Sequence, residues 1–207
     1  MKSILEYLEN DCKYNGEKIA VIEENKRCTY LELEENSKKI GTYLTKYEII
    51  NEPVAVLMEK GINALYSFLG TVYAGGFYCL LNPDLPSVRL EKILEKLQTK
   101  VIITDDEHLE LAKELKDNED IVLVENIKDI EIDNAKLQLI RNQKLDVDPL
   151  YTNFTSGSTG IPKGVVVSHR SVIDFMNVFT DTFNINTNDI IGNQAPFDFD
   201  VSVKDIY

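Results

Sequence analysis

The chain has 207 residues, 43% of them hydrophobic and 28% charged, which is enough to bury a sizeable core and unlike a disordered or fibrous protein. Its formal net charge is -13, so the overall field repels a nucleic-acid backbone, and an anionic ligand must be held by local donors. Cys12, Cys28 and Cys79 show no metal-ligand spacing. We find no signal peptide and no segment as long as a membrane span. These features predict a cytoplasmic protein with no nucleic-acid partner.

Apolar periodicity predicts alternating helices and strands over the first two thirds of the chain. Helices are expected at residues 3–14, from 29 onward, and at 62–74, 87–97 and 107–115. Strands are expected at residues 20–22, 27–29, 54–58, 77–81, 101–104 and 121–124. Thr29 and Glu32 form a capping-box pair for the second helix, and the third is apolar almost all round, which predicts a buried helix. Short connections between these elements predict an α/β fold with a mainly parallel sheet.

Residues 125–148 are polar and weakly patterned, which suggests a surface passage between two α/β units. We expect the first unit to cover residues 1–148 and the second to occupy 149–207. In the second unit the pattern predicts strands at 150–155, 165–167 and 190–194, and a helix over 170–183 that Ser168 can cap. Another helix is expected to begin just before Tyr207, with no stop signal after it. The second unit is therefore expected to be incomplete.

The most informative segment is YTNFTSGSTGIPKG, residues 151–164, where hydroxyl side chains surround two glycines. Glycines let successive backbone N–H groups turn toward one anion, and hydroxyls add further donors. A lysine near the end of the segment adds a positive charge. The segment predicts a phosphate-binding loop that consists of Thr155, Ser156, Gly157, Ser158, Thr159, Gly160 and Lys163.

Other loop types match this segment less well. A Walker A loop counted from Gly157 needs glycine and then Ser or Thr where the chain has Pro162 and Gly164. The dinucleotide pattern Gly-x-Gly-x-x-Gly is absent. A nucleophile elbow needs Gly-x-Ser-x-Gly, and Ser156 replaces its first glycine. Because the segment differs from this pattern at only one residue, a hydrolase stays an open alternative. An ordinary Ser/Gly turn between two strands is the structural alternative.

The string TSGSTGxPKG between two strands closely resembles the phosphate loop of the adenylate-forming superfamily, which includes acyl-CoA synthetases, luciferases and amino-acid adenylation domains. Residues 28–33 are similar to its early Thr-Tyr-x-Glu-Leu segment, and residues 72–89 to its Ala-Gly-x-x-Tyr stretch. The resemblance implies the first part of the large N-terminal domain of such an enzyme, without its small C-terminal domain. It also implies ATP and Mg2+. The metal ligand and the family's catalytic lysine have no counterpart in this sequence.

The Phe-Asp-Val-Ser string at residues 199–202 is similar to the Phe-Asp-x-Ser motif of amino-acid adenylation domains. The earlier Phe-Asp pair at 197–198 lacks serine in the fourth position, so only Asp200 fits. In the family this aspartate binds the α-amino group of the substrate, and acyl-CoA synthetases usually lack it. Asp200 could instead cap a helix or pair with a lysine one turn on. The implied substrate-binding residues are Phe199, Asp200, Val201 and Lys204.

The resemblance implies a ligase that activates an amino acid as aminoacyl-AMP, releases pyrophosphate, and transfers the product to the phosphopantetheine thiol of a carrier protein. D-alanine–carrier-protein ligases and nonribosomal peptide synthetases work in this way. This chain alone is expected to be inactive. Two alternatives stay open: an acyl-CoA synthetase for a fatty or aryl acid, and a noncatalytic nucleotide-binding protein.

Two histidines are the remaining candidates for acid–base chemistry. His169 lies at a predicted helix start, where packing or capping is favoured over the role of a base. His108 lies among acidic residues and is expected on the solvated surface.

Overall fold

The computed structural model describes residues 2–117, 120–155 and 162–207. Its helices are α1 (Leu5–Asn15), α2 (Tyr30–Leu44), α3 (Ile62–Tyr73), α4 (Ser87–Leu97), α5 (Leu109–Leu115), α6 (Asn134–Gln143), α7 (His169–Phe183) and α8 (Val203–Ile206). Its strands are β1 (Ile19–Glu23), β2 (Lys26–Thr29), β3 (Pro53–Leu57), β4 (Phe77–Leu81), β5 (Ile102–Thr104), β6 (Ile121–Leu123), β7 (Pro149–Thr155) and β8 (Lys163–Ser168). Short 3-10 helices cover Thr45–Tyr47, Val124–Ile127 and Asp200–Ser202.

Six of the described strands form one sheet in the order β6-β5-β3-β4-β7-β8. Strands β3 to β7 run parallel, and β8 pairs antiparallel with β7 at the edge. The predicted α/β fold with a mainly parallel sheet is confirmed. Because β7 pairs with β4, residues 149–207 contribute strands to the same sheet as residues 1–148. The division of the chain into two units at residue 148 stays a prediction.

Helices cover both faces of this sheet, and the central strand β3 shows why. Its side chains alternate between the two faces. Val54 and Val56 pack into the cluster that includes apolar residues of α1, α2, α3 and α7. Ala55 and Leu57 pack into a second cluster with residues of α4 and α5. A parallel strand that is buried on both faces reads as a continuous apolar run, as this one does.

Two helix starts follow the capping patterns of the sequence. Thr29 Oγ1 accepts a hydrogen bond from the backbone N–H of Glu32 at 3.2 Å, and Glu32 Oε2 accepts one from the N–H of Thr29 at 2.8 Å. Ser168 Oγ accepts a hydrogen bond from the N–H of Ser171 at 3.3 Å. These caps fix the starts of α2 and α7. Within the described ranges, we find no helix with the length and apolar character to cross a membrane.

Residues 125–148, interpreted from the sequence as a surface passage with no helix, contain α6, so the absence of a predicted helix there is wrong. Leu137 and Ile140 are buried on one side of the helix, and its other residues are partly or fully exposed. Asp133 caps it by accepting a hydrogen bond from the N–H of Lys136 at 2.9 Å. Two apolar residues three positions apart suffice because tertiary packing, and not the apolar pattern alone, stabilises a short helix.

The prediction of a strand at residues 190–194 is also wrong. These residues have no regular secondary structure, and the Ile190 side chain is 91% exposed. A strand needs a neighbour that accepts and donates its backbone hydrogen bonds. No described strand pairs with this segment, so its two isoleucines do not produce one.

Candidate functional site

The predicted phosphate loop lies between β7 and β8. Thr155, the last residue of β7, pairs with Lys163, the first residue of β8, and both are exposed. Thr155 Oγ1 is 3.5 Å from the carbonyl oxygen of Lys163. Because β7 runs parallel to β4, Thr155 lies at the carboxyl edge of the sheet, where open α/β sheets bind ligands. The other predicted loop residues lie outside the described residues: Ser156, Gly157, Ser158, Thr159 and Gly160.

The predicted amino-acid-binding segment begins with the 3-10 helix Asp200–Ser202 and continues into α8. Phe199 and Val201 are 58% and 49% exposed, and Asp200 is also exposed. These three side chains therefore do not form an enclosed pocket by themselves. No described residue donates a hydrogen bond to the Asp200 carboxylate, and none forms an ion pair with it. The capping role that the sequence allowed for Asp200 is not observed.

Lys204 does not pair with Asp200, contrary to the second alternative. Its Nζ lies 2.5 Å from Oδ1 of Asp205, whose side chain is only 2% exposed. The Nδ2 group of Asn193 donates a hydrogen bond to Oδ2 of Asp205 at 3.0 Å. Both oxygens of this buried carboxylate are therefore occupied, and Asp200 keeps its carboxylate available for another partner.

Aromatic side chains anchor the C-terminal segment on one face of the sheet. The ring centroid of Phe197 is 5.9 Å from that of Phe68, which stacks on Tyr78 at 4.0 Å. Tyr78 also stacks on Tyr151, at 5.7 Å, and its hydroxyl lies 2.8 Å from the hydroxyl of Tyr207. Burial raises the pKa of Tyr78 and of Tyr207, so this pair is neutral at physiological pH. The earlier Phe-Asp pair, which the sequence motif excluded, thus has an anchoring role through its phenylalanine.

Asp200 interacts electrostatically with Tyr151, in the strand that leads into the predicted phosphate loop. The pKa of Tyr151 is raised by burial and further by the negative charge of Asp200. Tyr151 belongs to β7, whose last residue is Thr155. The pKa of the Cys79 thiol is raised to about 12, by burial and by the charge of Asp198. The two predicted sites therefore both border β7.

Lys60 is a contact residue that the sequence motifs do not reveal. It is exposed and follows β3, and its Nζ donates to Oδ1 of Asn193 at 3.1 Å. The same group reaches the carbonyl oxygens of Asn193, Gln194 and Ala195 at 3.4, 3.3 and 3.5 Å. Its position after a parallel strand, at the carboxyl edge, is the signal that could have found it.

The two histidines have structural partners. His169 is 1% exposed, and its Nδ1 accepts a hydrogen bond from the backbone N–H of Ile4 at 3.3 Å. Burial, and then the charge of Lys144, lower its pKa to about 4. This supports the packing role. The expectation that His108 is solvated is wrong, since its side chain is only 12% exposed. Its Nδ1 lies 2.6 Å from Oδ1 of Asp105.

The magnesium that the sequence resemblance implies has no set of ligands in the part of the chain that the structure describes. No group of three or more His, Cys, Asp and Glu side chains there could hold a metal ion. A magnesium ion bound through the phosphates of ATP needs only one or two protein carboxylates, so Mg2+ stays an expectation from the resemblance.

Together, the fold and the site define an α/β domain with a candidate phosphate loop at the carboxyl edge of its sheet and a free aspartate beside the same strand. The family model of the AMP-binding enzymes matches residues 8–207, and the chain belongs to this family.

Curated relatives extend well beyond the region they share with this chain. Tyrocidine synthase 1 of Brevibacillus parabrevis is 27% identical over 207 residues, which are 100% of this chain and 19% of that protein. A D-alanine--D-alanyl carrier protein ligase of Bacillus cytotoxicus is 29% identical over 206 residues, 99% of this chain and 40% of the ligase. The chain thus spans less than half the length of these relatives.

Solved structures show the same fold. The nonribosomal peptide synthetase FmoA3 in its α-methyl-L-serine-AMP-bound form is similar with a TM-score of 0.85 at 23% identity. The similarity covers 99% of this chain and 22% of that one.

Proposed function

We propose that the chain supplies the ATP-binding loop and the α-amino-binding aspartate of an enzyme that activates an amino acid. The substrate carboxylate attacks the α-phosphorus of ATP, and aminoacyl-AMP and pyrophosphate are formed. In a second step, the phosphopantetheine thiol of a carrier protein attacks the acyl carbon, so that a thioester forms and AMP leaves. Both steps belong to a protein that contains this chain together with the rest of an adenylation domain.

The observation that carries this proposal is the free carboxylate of Asp200 beside β7. An ammonium group that leaves water needs an opposite charge and hydrogen-bond acceptors. Asp200 offers both, because Lys204 is paired with Asp205 and no described residue occupies the Asp200 oxygens. A fatty or aryl acid has no ammonium, and its binding would leave the aspartate without a partner. Such a loss is enough to set the class of substrate.

The proposed role of the phosphate loop rests on where its two ends lie. Thr155 and Lys163, at the two ends of the predicted loop, are paired neighbours at the carboxyl edge. Backbone N–H groups and hydroxyls of the predicted loop residues can hold the β- and γ-phosphates of ATP, and Lys163 can add a supporting charge. Nucleotidyl transfer depends mainly on positioning and charge stabilisation, which a rigid, donor-rich loop provides.

The relatives support the amino-acid class and the carrier-protein acceptor. D-alanine is an amino acid, and the acceptor of the related ligase is named as a carrier protein. The bound adenylate in the FmoA3 structure is that of an α-methylated serine. These names favour an amino acid over a fatty acid as the substrate.

The proposal is tested by ATP–pyrophosphate exchange in a protein that carries this chain within a complete adenylation domain. Each of the standard amino acids is compared with its des-amino analogue, at equal concentration. We expect exchange with one or a few amino acids and none with the matching des-amino acids. Exchange with fatty or aryl acids alone would contradict the amino-acid proposal and favour the acyl-CoA synthetase alternative.

A further inference from the structure

The ammonium of Lys60 makes four contacts with one short stretch of chain. Its partners are the side-chain oxygen of Asn193 and the carbonyl oxygens of Asn193, Gln194 and Ala195, all within 3.5 Å. A lysine ammonium has three N–H donors and rotates freely, so it can serve several acceptors on one turn of backbone. Lys60 therefore joins the end of β3 to the segment that leads to Asp200.

That segment depends on such contacts because it has no regular secondary structure. Residues 190–195, which precede the anchoring Phe197, belong to neither a helix nor a strand, and Ile190 is 91% exposed. A stretch with few buried apolar contacts opens at low free-energy cost. Hydrogen bonds from a charged donor are stronger than neutral ones, so Lys60 restrains the path of the backbone here.

Asn193 also contacts a residue that follows Asp200 in the chain. Asn193, which Lys60 holds, donates its Nδ2 hydrogen bond to the buried carboxylate of Asp205. Asn193 precedes Asp200 in the chain and Asp205 follows it, so this link closes the turn that carries Asp200. The position of the Asp200 carboxylate then depends on the position of Asn193.

We infer that Lys60 is a positioning residue for the amino-acid substrate: acting through Asn193 and Asp205, it fixes where the Asp200 carboxylate meets the substrate ammonium. This inference rests on the proposed function. Lys60 is exposed, and the aromatic contacts of Phe197 and Tyr207 do not involve it. Its loss should therefore loosen the turn and leave the fold intact, because exposed charges contribute little to global stability.

The first test is hydrogen exchange of the backbone amides in residues 190–199 of the 207-residue chain. Lys60→Met keeps the length of the side chain and removes its charge, and we expect exchange in this segment to accelerate about tenfold. Lys60→Arg keeps a cationic donor and should restore most of the protection. The matched control is Lys100→Met, because Lys100 is also exposed and donates to a carbonyl, that of Glu48 at 3.2 Å, outside this segment. It should leave residues 190–199 unchanged.

The second test is the kinetic effect of Lys60→Met in a protein with the complete adenylation domain. The KM for the amino acid should rise about tenfold while the KM for ATP changes by less than about twofold, because Lys60 contacts neither Thr155 nor Lys163, the described ends of the predicted phosphate loop. An equal rise in both KM values, or unchanged exchange in residues 190–199, would overturn the inference. If the wild type activates amino acids and the variant has an unchanged KM for them, the proposed function stands and the inference fails. If the wild type activates no amino acid, the proposed function fails, and the role of Lys60 in substrate binding fails with it. Hydrogen exchange of the backbone amides then shows whether Lys60 orders the turn.

Discussion

The centre of the sheet and its β8 edge differ sharply in how completely they are enclosed. The four apolar residues after Pro53 in β3 are all 0% exposed. At the other extreme, Val165 and Val166 of β8 are 53% and 56% exposed, and Val178 and Phe183 of α7 are 66% and 65% exposed. The candidate site lies toward this open side, between β7 and the C-terminal turn. The enclosed centre provides stability, whereas the exposed candidate residues Thr155, Lys163 and Asp200 lie outside it.

Substitution of Phe68 should produce the largest loss of stability, because its ring is fully buried and stacks on Tyr78 at 4.0 Å. Phe68→Ala should lower the free energy of unfolding by ~3–5 kcal/mol, as buried phenylalanines typically do. Urea denaturation of the 207-residue chain measures this change. The matched substitution in the open region is Phe183→Ala, for which we expect ~0.5 kcal/mol or less. Equal losses of stability at the two positions would contradict the difference between the enclosed centre and the open region.

His169 is the first residue of α7, and its ring accepts a hydrogen bond from the backbone N–H of the buried residue Ile4. Because the ring is itself buried, the stability of the protein should depend on pH. The folded pKa of His169, about 4, lies below the ordinary value of 6.5, because burial disfavours the charged ring. The unfolded chain therefore binds more protons between these values, and stability falls as the pH is lowered from 6.5 to 4. The loss is on the order of 3 kcal/mol.

The measurement is the free energy of unfolding of wild type and His169→Gln at a series of pH values. The variant should be less stable at neutral pH and should lose less on acidification over that interval. Identical pH profiles for the two proteins would mean that His169 is not held in its neutral form.

A smaller effect is expected from crowding at Gly70, where α3 packs against α2. A Cβ atom at this position would lie 2.5 Å from Cγ2 of Ile40 and 2.9 Å from the carbonyl oxygen of Ser37. Gly70→Ala should cost ~1–3 kcal/mol, since a packed core absorbs an added methyl group only by shifting its neighbours. At Gly192, in the open segment, an added Cβ would meet nothing within 4 Å, so Gly192→Ala should change stability by ~0.5 kcal/mol or less. Thermal unfolding of both variants measures these losses. The loss should be larger for Gly70→Ala, and a larger loss for Gly192→Ala would contradict the difference between the two regions.

The enclosed region could be predicted from the sequence almost element by element, because buried parallel strands and the helices between them leave strong apolar patterns. The open region could not. Residues 190–194 are apolar enough to suggest a strand, yet only a paired neighbour would make one. Helix α6 lies in a polar stretch and could not be predicted from the apolar pattern, because its stability depends on packing against α2 and α3. Motif letters selected Asp200, whose role in binding the substrate stays a prediction, and its contacts with neighbours required coordinates.

The contact of Lys60 shows the same limit. It joins residues 60 and 193–195, and no local pattern links positions so far apart. The six residues at the centre of the predicted phosphate loop, 156–161, lie outside the described residues, so their role stays a prediction that only the paired ends support.

If Asp200 makes the substrate an amino acid, replacing it should change which acids the enzyme activates. In a protein with the complete adenylation domain, ATP–pyrophosphate exchange is measured for wild type, Asp200→Ala and the neighbouring control Asp198→Ala. Removing one partner of a desolvated charge pair typically costs ~3–5 kcal/mol, so exchange with the amino acid should fall by roughly 100-fold or more in Asp200→Ala. The des-amino acid should gain relative to the amino acid, and Asp198→Ala should keep the wild-type preference. If Asp200→Ala loses only thermal stability and still prefers the amine, the account is contradicted.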